Sequence, residues 1–222
     1  MSRSITFGPL DGPPTTPTKT SRHHDSDNPY LSEVLELDPM ILERCKPNGW
    51  KIEIPPIGSF AARNELVQRY AWSIPSPRAI EALVSRGPIV EVFAGTGSWA
   101  SLIKKAGGDI IATDSLPGRN HWCKVEEPYT DISQLDAVKA AKMYPERMLF
   151  MSWPPMNEAA YRCLRAYRGT RLAYIGEDAG GCTATDDFFA ELEDPRWLLE
   201  ETIRIPQWFG LHDTLDFYRR IG

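Results

Sequence analysis

The hydrophobic pattern is clearest in the middle of the chain. Ile89, Val90, Val92 and Phe93 form a short apolar run with a single acid, Glu91, inside it. β-branched runs of this length suit a strand buried on both faces of a parallel sheet. The run ends in Ala94-Gly95-Thr96-Gly97, where glycine lets the backbone turn sharply and approach a ligand with no Cβ in the way. Trp99, Leu102, Ile103 and Ala106 then fall at helical spacing, and Gly107 supplies the stop. Ile110 and Ile111 open a second apolar run that closes at Asp114. Strand, glycine turn, helix, strand and acid make a βαβ unit with a nucleotide-type crevice at its carboxyl edge.

Upstream the pattern weakens. Residues 1–29 are rich in Pro, Thr, Ser, Gly and Asp and offer almost nothing to bury, which predicts a disordered tail with a solvated His23-His24 pair. Residues 30–75 read as a small helical cap. Asp38-Pro39 suits the start of a short helix through Met40, Ile41 and Leu42. Pro47-Asn48-Gly49 is a turn, Lys51 to Ile54 a short strand, and Ser59 a cap for a helix with Ala62, Leu66, Val67 and Tyr70 on one face. Tyr70-Ala71-Trp72-Ser73-Ile74-Pro75 is a rigid, aromatic-rich connection, suited either to roofing the carboxyl edge or to packing a helix on the sheet. Residues 76–222 form the main domain, opened by Ser76-Pro77 and a helix through Ile80, Leu83 and Val84.

Downstream of Asp114, Leu116-Pro117-Gly118 is a turn, and Ser133 to Asp136 has capping-box spacing ahead of a helix with Leu135, Val138 and Met143. Met148 to Met151 is an apolar strand ending in Ser152-Trp153-Pro154-Pro155-Met156. Ala159, Cys163, Leu164 and Tyr167 mark a helix, Leu172 to Glu177 a strand, and Phe188, Phe189 and Leu192 a further helix. Glu201 to Pro206 and Leu215 to Arg220 read as an antiparallel hairpin. The expected fold is α/β: a Rossmann-like, mostly parallel seven-stranded sheet with helices on both faces and a C-terminal antiparallel hairpin, plus the small N-terminal helical cap.

Composition narrows the partners. The 222 residues carry a net charge of −5 and no basic stripe, so nucleic acid is not favoured. Four widely separated cysteines form no C-x-x-C pair, which disfavours a zinc or redox site and leaves no expected metal. There is no apolar leader and no apolar run near membrane length, so a cytoplasmic protein without a membrane partner is expected, as monomer or homodimer.

Gly95, Gly97 and Ala100 nominally meet the dinucleotide pattern. A dinucleotide has no evident need for an acid four residues before its first glycine. S-adenosylmethionine carries a cationic amino group and a sulfonium, and Glu91 is placed to help hold that end. Asp114 lies 17 residues past Gly97, where its carboxylate suits ribose hydroxyls. The stretch Val90-Glu91-Val92-Phe93-Ala94-Gly95-Thr96-Gly97 resembles the first motif of class I S-adenosylmethionine-dependent methyltransferases, and Asp114 resembles their second-strand acid. That family often has glycine where Phe93 stands. The hairpin finish also fits its layout.

The resemblance implies S-adenosylmethionine as cofactor, held by Glu91, Phe93, Ala94, Gly95, Thr96, Gly97, Trp99, Asp114, Ser115 and Ser152. Trp122, with Asn120 and His121, falls where family members often meet the adenine ring. The Ser152-Trp153-Pro154-Pro155 turn departs from the order seen in amino-methyltransferases, where the aromatic follows the prolines. Tyr70, Trp72, Trp153 and Trp208 are expected to bind substrate, and Glu177, Ser152, Trp153 and His212 to carry catalysis. Trp208, Phe209 and His212 either reach the pocket or cover the sheet edge. The reading is methyl transfer to O or N of a small-molecule substrate. The alternatives are a nucleic-acid or protein N-methyltransferase and a catalytically silent cofactor-binding module.

Overall fold

A computed structural model describes residues 27–45, 59–123 and 125–221. The expected strand at Lys51 to Ile54, the Pro47-Asn48-Gly49 turn and His23-His24 lie outside them. Among the described residues three helices come first: α1 (Pro29–Leu37), α2 (Ile41–Arg44) and α3 (Ser59–Arg69). The domain proper follows as α4 (Pro77–Val84), β1 (Ile89–Val92), α5 (Ser98–Lys105), β2 (Ile110–Asp114), β3 (Ile132–Gln134), α6 (Ala137–Met143), β4 (Met148–Ser152), α7 (Ala159–Ala166), β5 (Arg171–Gly176), α8 (Asp186–Glu193), β6 (Trp197–Arg204) and β7 (Thr214–Arg220).

The strands form one seven-stranded sheet in the order β3-β2-β1-β4-β5-β7-β6. The first five strands pair in parallel, and β7 runs antiparallel to both β5 and β6. This is the expected mostly parallel sheet with its terminal hairpin. The side-chain period of two sends alternate residues of each strand to opposite faces. Ile89 packs with α4 and α5, against Leu83, Trp99 and Ile103. Val90 and Val92 pack with α6, α7 and α8, against Ala140, Leu164 and Phe188. Both faces are therefore covered, as a parallel sheet requires.

A third cluster holds the cap on the domain. Tyr30, Leu31, Val34, Leu66, Tyr70 and Ile74 bury together with Trp208 and Leu211 from the β6–β7 link. Three local expectations differ from the structure. The first helix begins at Pro29 with Asn28 as its cap, inside the stretch expected to be tail. Asp38 ends α1 instead of opening a helix, and its Oδ1 accepts from the Met40 N–H. Ser133 lies in β3, and Asp136 itself caps α6 by accepting from the Val138 and Lys139 N–H groups. Unpaired N–H groups lie at a helix N-terminus, where Asp136 finds two, whereas Asp38 finds its donor in the turn between α1 and α2.

Among the described residues no helix is long and apolar enough to cross a membrane. No group of three or more metal-ligating side chains occurs among them either.

Candidate active site

The carboxyl ends of β1, β2, β4 and β5 meet at one edge of the sheet. The chain crosses from β1 towards β2 on one side and towards β4 on the other, the reversal point where open α/β sheets place their ligands. At the end of β1 the backbone turns through three left-handed residues, Phe93 (φ 60°), Gly95 (φ 55°) and Gly97 (φ 77°). Gly97 is tightly enclosed: a Cβ there would come within 3.1 Å of Ile132 and 3.2 Å of Thr130. The β2–β3 loop closes over the turn. Gly118 donates to the Gly95 carbonyl at 2.8 Å and Tyr129 to the Thr96 carbonyl at 2.9 Å.

Two buried acids flank this turn. Asp114, at the tip of β2, accepts from the Gly95 N–H and the Leu116 N–H, both at 2.8 Å. An ionised carboxylate offers about four acceptor positions, so capacity remains for hydroxyl donors. Glu91 shares the α4/α5 face of β1 with Ile89 and is 2 % exposed. Its Oε2 has no hydrogen-bond partner. Burial, reinforced by the nearby Asp114 charge, pushes its carboxyl up to about 8, while the Ala100 N–H and Lys104 act in the opposite sense. Ala94 continues the strand ladder by donating to the Thr113 carbonyl.

The segment from Tyr70 to Pro75 lies across this edge as a strap. Thr96 Oγ1 donates to the Tyr70 carbonyl. Ser73 Oγ accepts from Trp99 Nε1 at 2.9 Å and shares a 2.7 Å hydrogen bond with Ser152 Oγ. The side chain of Trp99 thus belongs to the core beneath the turn, and the Ser152 hydroxyl is engaged with the strap. Trp72 stacks on Trp153 with ring centroids 4.8 Å apart and 11° between planes. Trp122 meets Trp72 edge-on, and the Arg63 guanidinium lies 5.6 Å from the Trp72 ring. Tyr70 stacks between Tyr30 and Tyr129. Asn120 Oδ1 accepts from the Trp122 and Cys123 N–H groups and fixes the loop that carries Trp122. Ser115 is exposed at the rim, its carbonyl accepting from Gln134 Nε2.

On the β5 side, Glu177 is buried and spends both oxygens on backbone donors. Oε2 accepts from the Cys182 N–H at 2.9 Å, and Oε1 accepts from the His212 N–H at 3.2 Å. The His212 ring is exposed, its Nδ1 3.6 Å from Glu177. Trp208 sits in the cap core, against which Trp153 packs, and donates Nε1–H to the Tyr30 hydroxyl at 3.1 Å.

One acid at this edge has no sequence signal of its own. Asp213 is 1 % exposed. Its Oδ2 accepts from Trp153 Nε1 at 2.9 Å, and its Oδ1 is buried without a partner. Burial lifts its carboxyl to about 7; the Trp153 bond and Arg63 oppose this, and Glu177 adds to it. Only its place just before the last strand, antiparallel to β5, would have brought it to the functional edge.

Strand order, terminal hairpin and a glycine turn flanked by two buried acids together define a class I S-adenosylmethionine-dependent methyltransferase fold. No family model and no curated protein matches the chain. Among solved structures it is similar to magnesium protoporphyrin IX methyltransferase from Synechocystis PCC 6803 with bound SAM, at 12% identity and TM-score 0.48, over 88% of this chain and 97% of that one. It is also similar to the 1,6-didemethyltoxoflavin-N1-methyltransferase of Burkholderia thailandensis, at 14% identity and TM-score 0.42, over 96% and 94% of the two chains. TrmN from Thermus thermophilus matches at 11% identity and TM-score 0.42, over 77% of this chain and 55% of that one.

Proposed function

We propose that the protein transfers a methyl group from S-adenosylmethionine to an oxygen or nitrogen of a small, partly apolar molecule. The observation that carries this reading is Glu91 Oε2, a buried carboxyl oxygen with no partner beside a glycine turn and a second buried acid. An unpaired buried acid is costly in a folded chain. A ligand bearing a cationic group removes that cost by supplying the missing partner.

Glu91 would hold the cationic methionine end of the cofactor, and Asp114 its ribose hydroxyls. The glycine turn gives the backbone close approach, and Trp122 offers a ring for the adenine. The bound cofactor supplies a methyl group already activated by positive sulfur. The chain's own task is to align the acceptor and exclude water. The strap does both, because Trp72 stacks on Trp153 and Ser73 ties the strap to β4 and α5. Around it Leu116, Trp122, Met156 and Phe209 are exposed on the loops of the same edge. A rim that exposes these apolar side chains suits a small organic acceptor.

Titration calorimetry with S-adenosylhomocysteine and with NAD tests the reading. S-adenosylhomocysteine, which keeps the amino group, should bind, and NAD should not. A cation next to Glu91 favours its charged form and lowers its pKa from about 8. Binding near neutral pH should therefore release a proton, seen as a heat that varies with the ionisation enthalpy of the buffer. Glu91→Ala or Asp114→Ala should abolish binding. Binding of NAD in place of S-adenosylhomocysteine would overturn the reading.

A further inference from the structure

The acceptor side of this edge is built from Asp213, Trp153, Trp72 and Arg63. We propose that Asp213 takes the proton from the methyl acceptor, and that the acceptor is a flat ring carrying a hydroxyl group. This inference rests on the methyltransferase reading above.

Asp213 is held by one oxygen and free at the other. Trp153 Nε1 fixes Oδ2 at 2.9 Å, while Oδ1 is buried and unpartnered. The neighbouring acid, Glu177, is held at both oxygens by the Cys182 and His212 N–H groups, whereas Asp213 Oδ1 has no partner. A buried acceptor oxygen with nothing to accept calls for a donor from outside the chain. A hydroxyl on the acceptor provides one. Asp213 is 1 % exposed, so an acceptor reaches Oδ1 by parting the side chains that cover it.

The walls argue for the ring. Trp153 leaves β4 with a left-handed backbone, φ 51°, and stacks flat on Trp72. Arg63 faces Trp72, forms no ion pair among the described residues, and buries an unpartnered Nε. A guanidinium there favours an electron-rich ring and disfavours an acceptor that arrives as an ammonium.

The charged and titratable groups facing Asp213 are Glu177 at the end of β5, Arg63 from α3, Tyr30 from α1, Tyr174 within β5 and Cys182 in the loop beyond. Burial and Glu177 lift its carboxyl to about 7. A base works best with its pKa close to the working pH. In the transfer the carbon–sulfur bond breaks with its electron pair left on sulfur, and the carbon–oxygen bond forms from an oxygen lone pair. The hydroxyl proton passes to Asp213 Oδ1 and from there to water.

The test uses the full chain labelled with 5-fluorotryptophan, saturated with S-adenosylhomocysteine and titrated with phenol. The Trp72 and Trp153 fluorine resonances, assigned with Trp72→Phe and Trp153→Phe, should shift together. Methyl transfer from S-adenosylmethionine is then followed to phenol and to 4-nitrophenol, which is largely ionised at mildly alkaline pH. Asp213→Asn keeps an oxygen for the Trp153 N–H, so the Trp153 resonance should stay in place and show that the fold is kept. The variant should lower transfer to phenol by about 100-fold and leave transfer to 4-nitrophenol close to wild type. Equal losses for both phenols would make Asp213 a structural residue and overturn the proposal. So would unshifted Trp72 and Trp153 resonances, or no transfer to either phenol, with S-adenosylhomocysteine bound. Failure of S-adenosylhomocysteine itself to bind would instead remove the methyltransferase reading, and is read separately in the first titration.

Discussion

Two large residues at this edge adopt backbone angles that side chains disfavour: Phe93 after β1 and Trp153 after β4. Left-handed backbone at a bulky residue costs about 1–3 kcal/mol and persists only where neighbours over-determine it. Trp153 has such neighbours in Trp72 and Asp213, and Phe93 packs against the α6/α7 face of the sheet. Glu177 is over-determined in another way, because each oxygen answers a different loop. Gln in its place keeps one acceptor and presents an NH2 group to a backbone N–H. Glu177→Gln should therefore lower stability by about 1–3 kcal/mol, measured by urea unfolding at neutral pH. An unchanged midpoint would mean that the loops hold without it. The sequence marks Glu177 as an acid at a strand end. Its partners lie 5 and 35 residues away, and no spacing rule connects them. Asp213 is less legible still, since its meaning comes from Trp153, 60 residues earlier.

Elements with strong periodicity were legible, and the connections that make the site were not. Ser76 and Pro77 open α4 as expected, with Ser76 Oγ accepting from the Ala79 N–H. The apolar runs mark β1, β2, β4 and β5 because strands buried on both faces are mostly apolar, with Glu91 in β1 and Thr113 and Asp114 in β2 as the buried polar exceptions. β3 is three residues, Ile-Ser-Gln, at the sheet edge, with two of them exposed, and such a strand leaves no hydrophobic trace. The strap could be read only as aromatic and rigid, because its hydrogen bonds reach across the chain to Trp99 and Ser152. Its energetic role is testable. Ser73→Ala removes the acceptor for a buried indole N–H and should cost about 1–3 kcal/mol by urea unfolding, while leaving the helix content unchanged by circular dichroism. The cap has a different anchor. Trp208 fills the third cluster and bonds Tyr30. Trp208→Ala should cost about 3–5 kcal/mol and expose residues 27–45 to early proteolysis; a cap that stays protected would show that the strap alone retains it.

Three buried acids hold their protons more tightly than an exposed carboxyl does, and at the scale of the whole molecule they shape its response to pH. Burial raises the carboxyls of Glu91 and Asp213, to about 8 and about 7, and raises Asp216 as well. In the unfolded chain the same groups titrate near the ordinary carboxylate value of about 4. Through these groups the folded chain holds more protons than the unfolded chain from about pH 4 to about pH 8, and their contribution to stability falls as pH rises across that window. Thermal unfolding followed by scanning calorimetry should give its highest midpoint at the acid end of the window and a steady decline towards its alkaline end. Glu91→Gln removes the group with the higher of the two values and should flatten the alkaline part of the decline. Asp213→Asn should flatten the part below about pH 7. S-adenosylhomocysteine acts against the same slope, since its amino group stabilises ionised Glu91 and its stabilising effect should grow as pH rises. A midpoint that climbs from the acid end of the window to the alkaline end would mean that the two acids are ionised in the folded chain. The link between Glu91 burial and ligand charge would then fail with it.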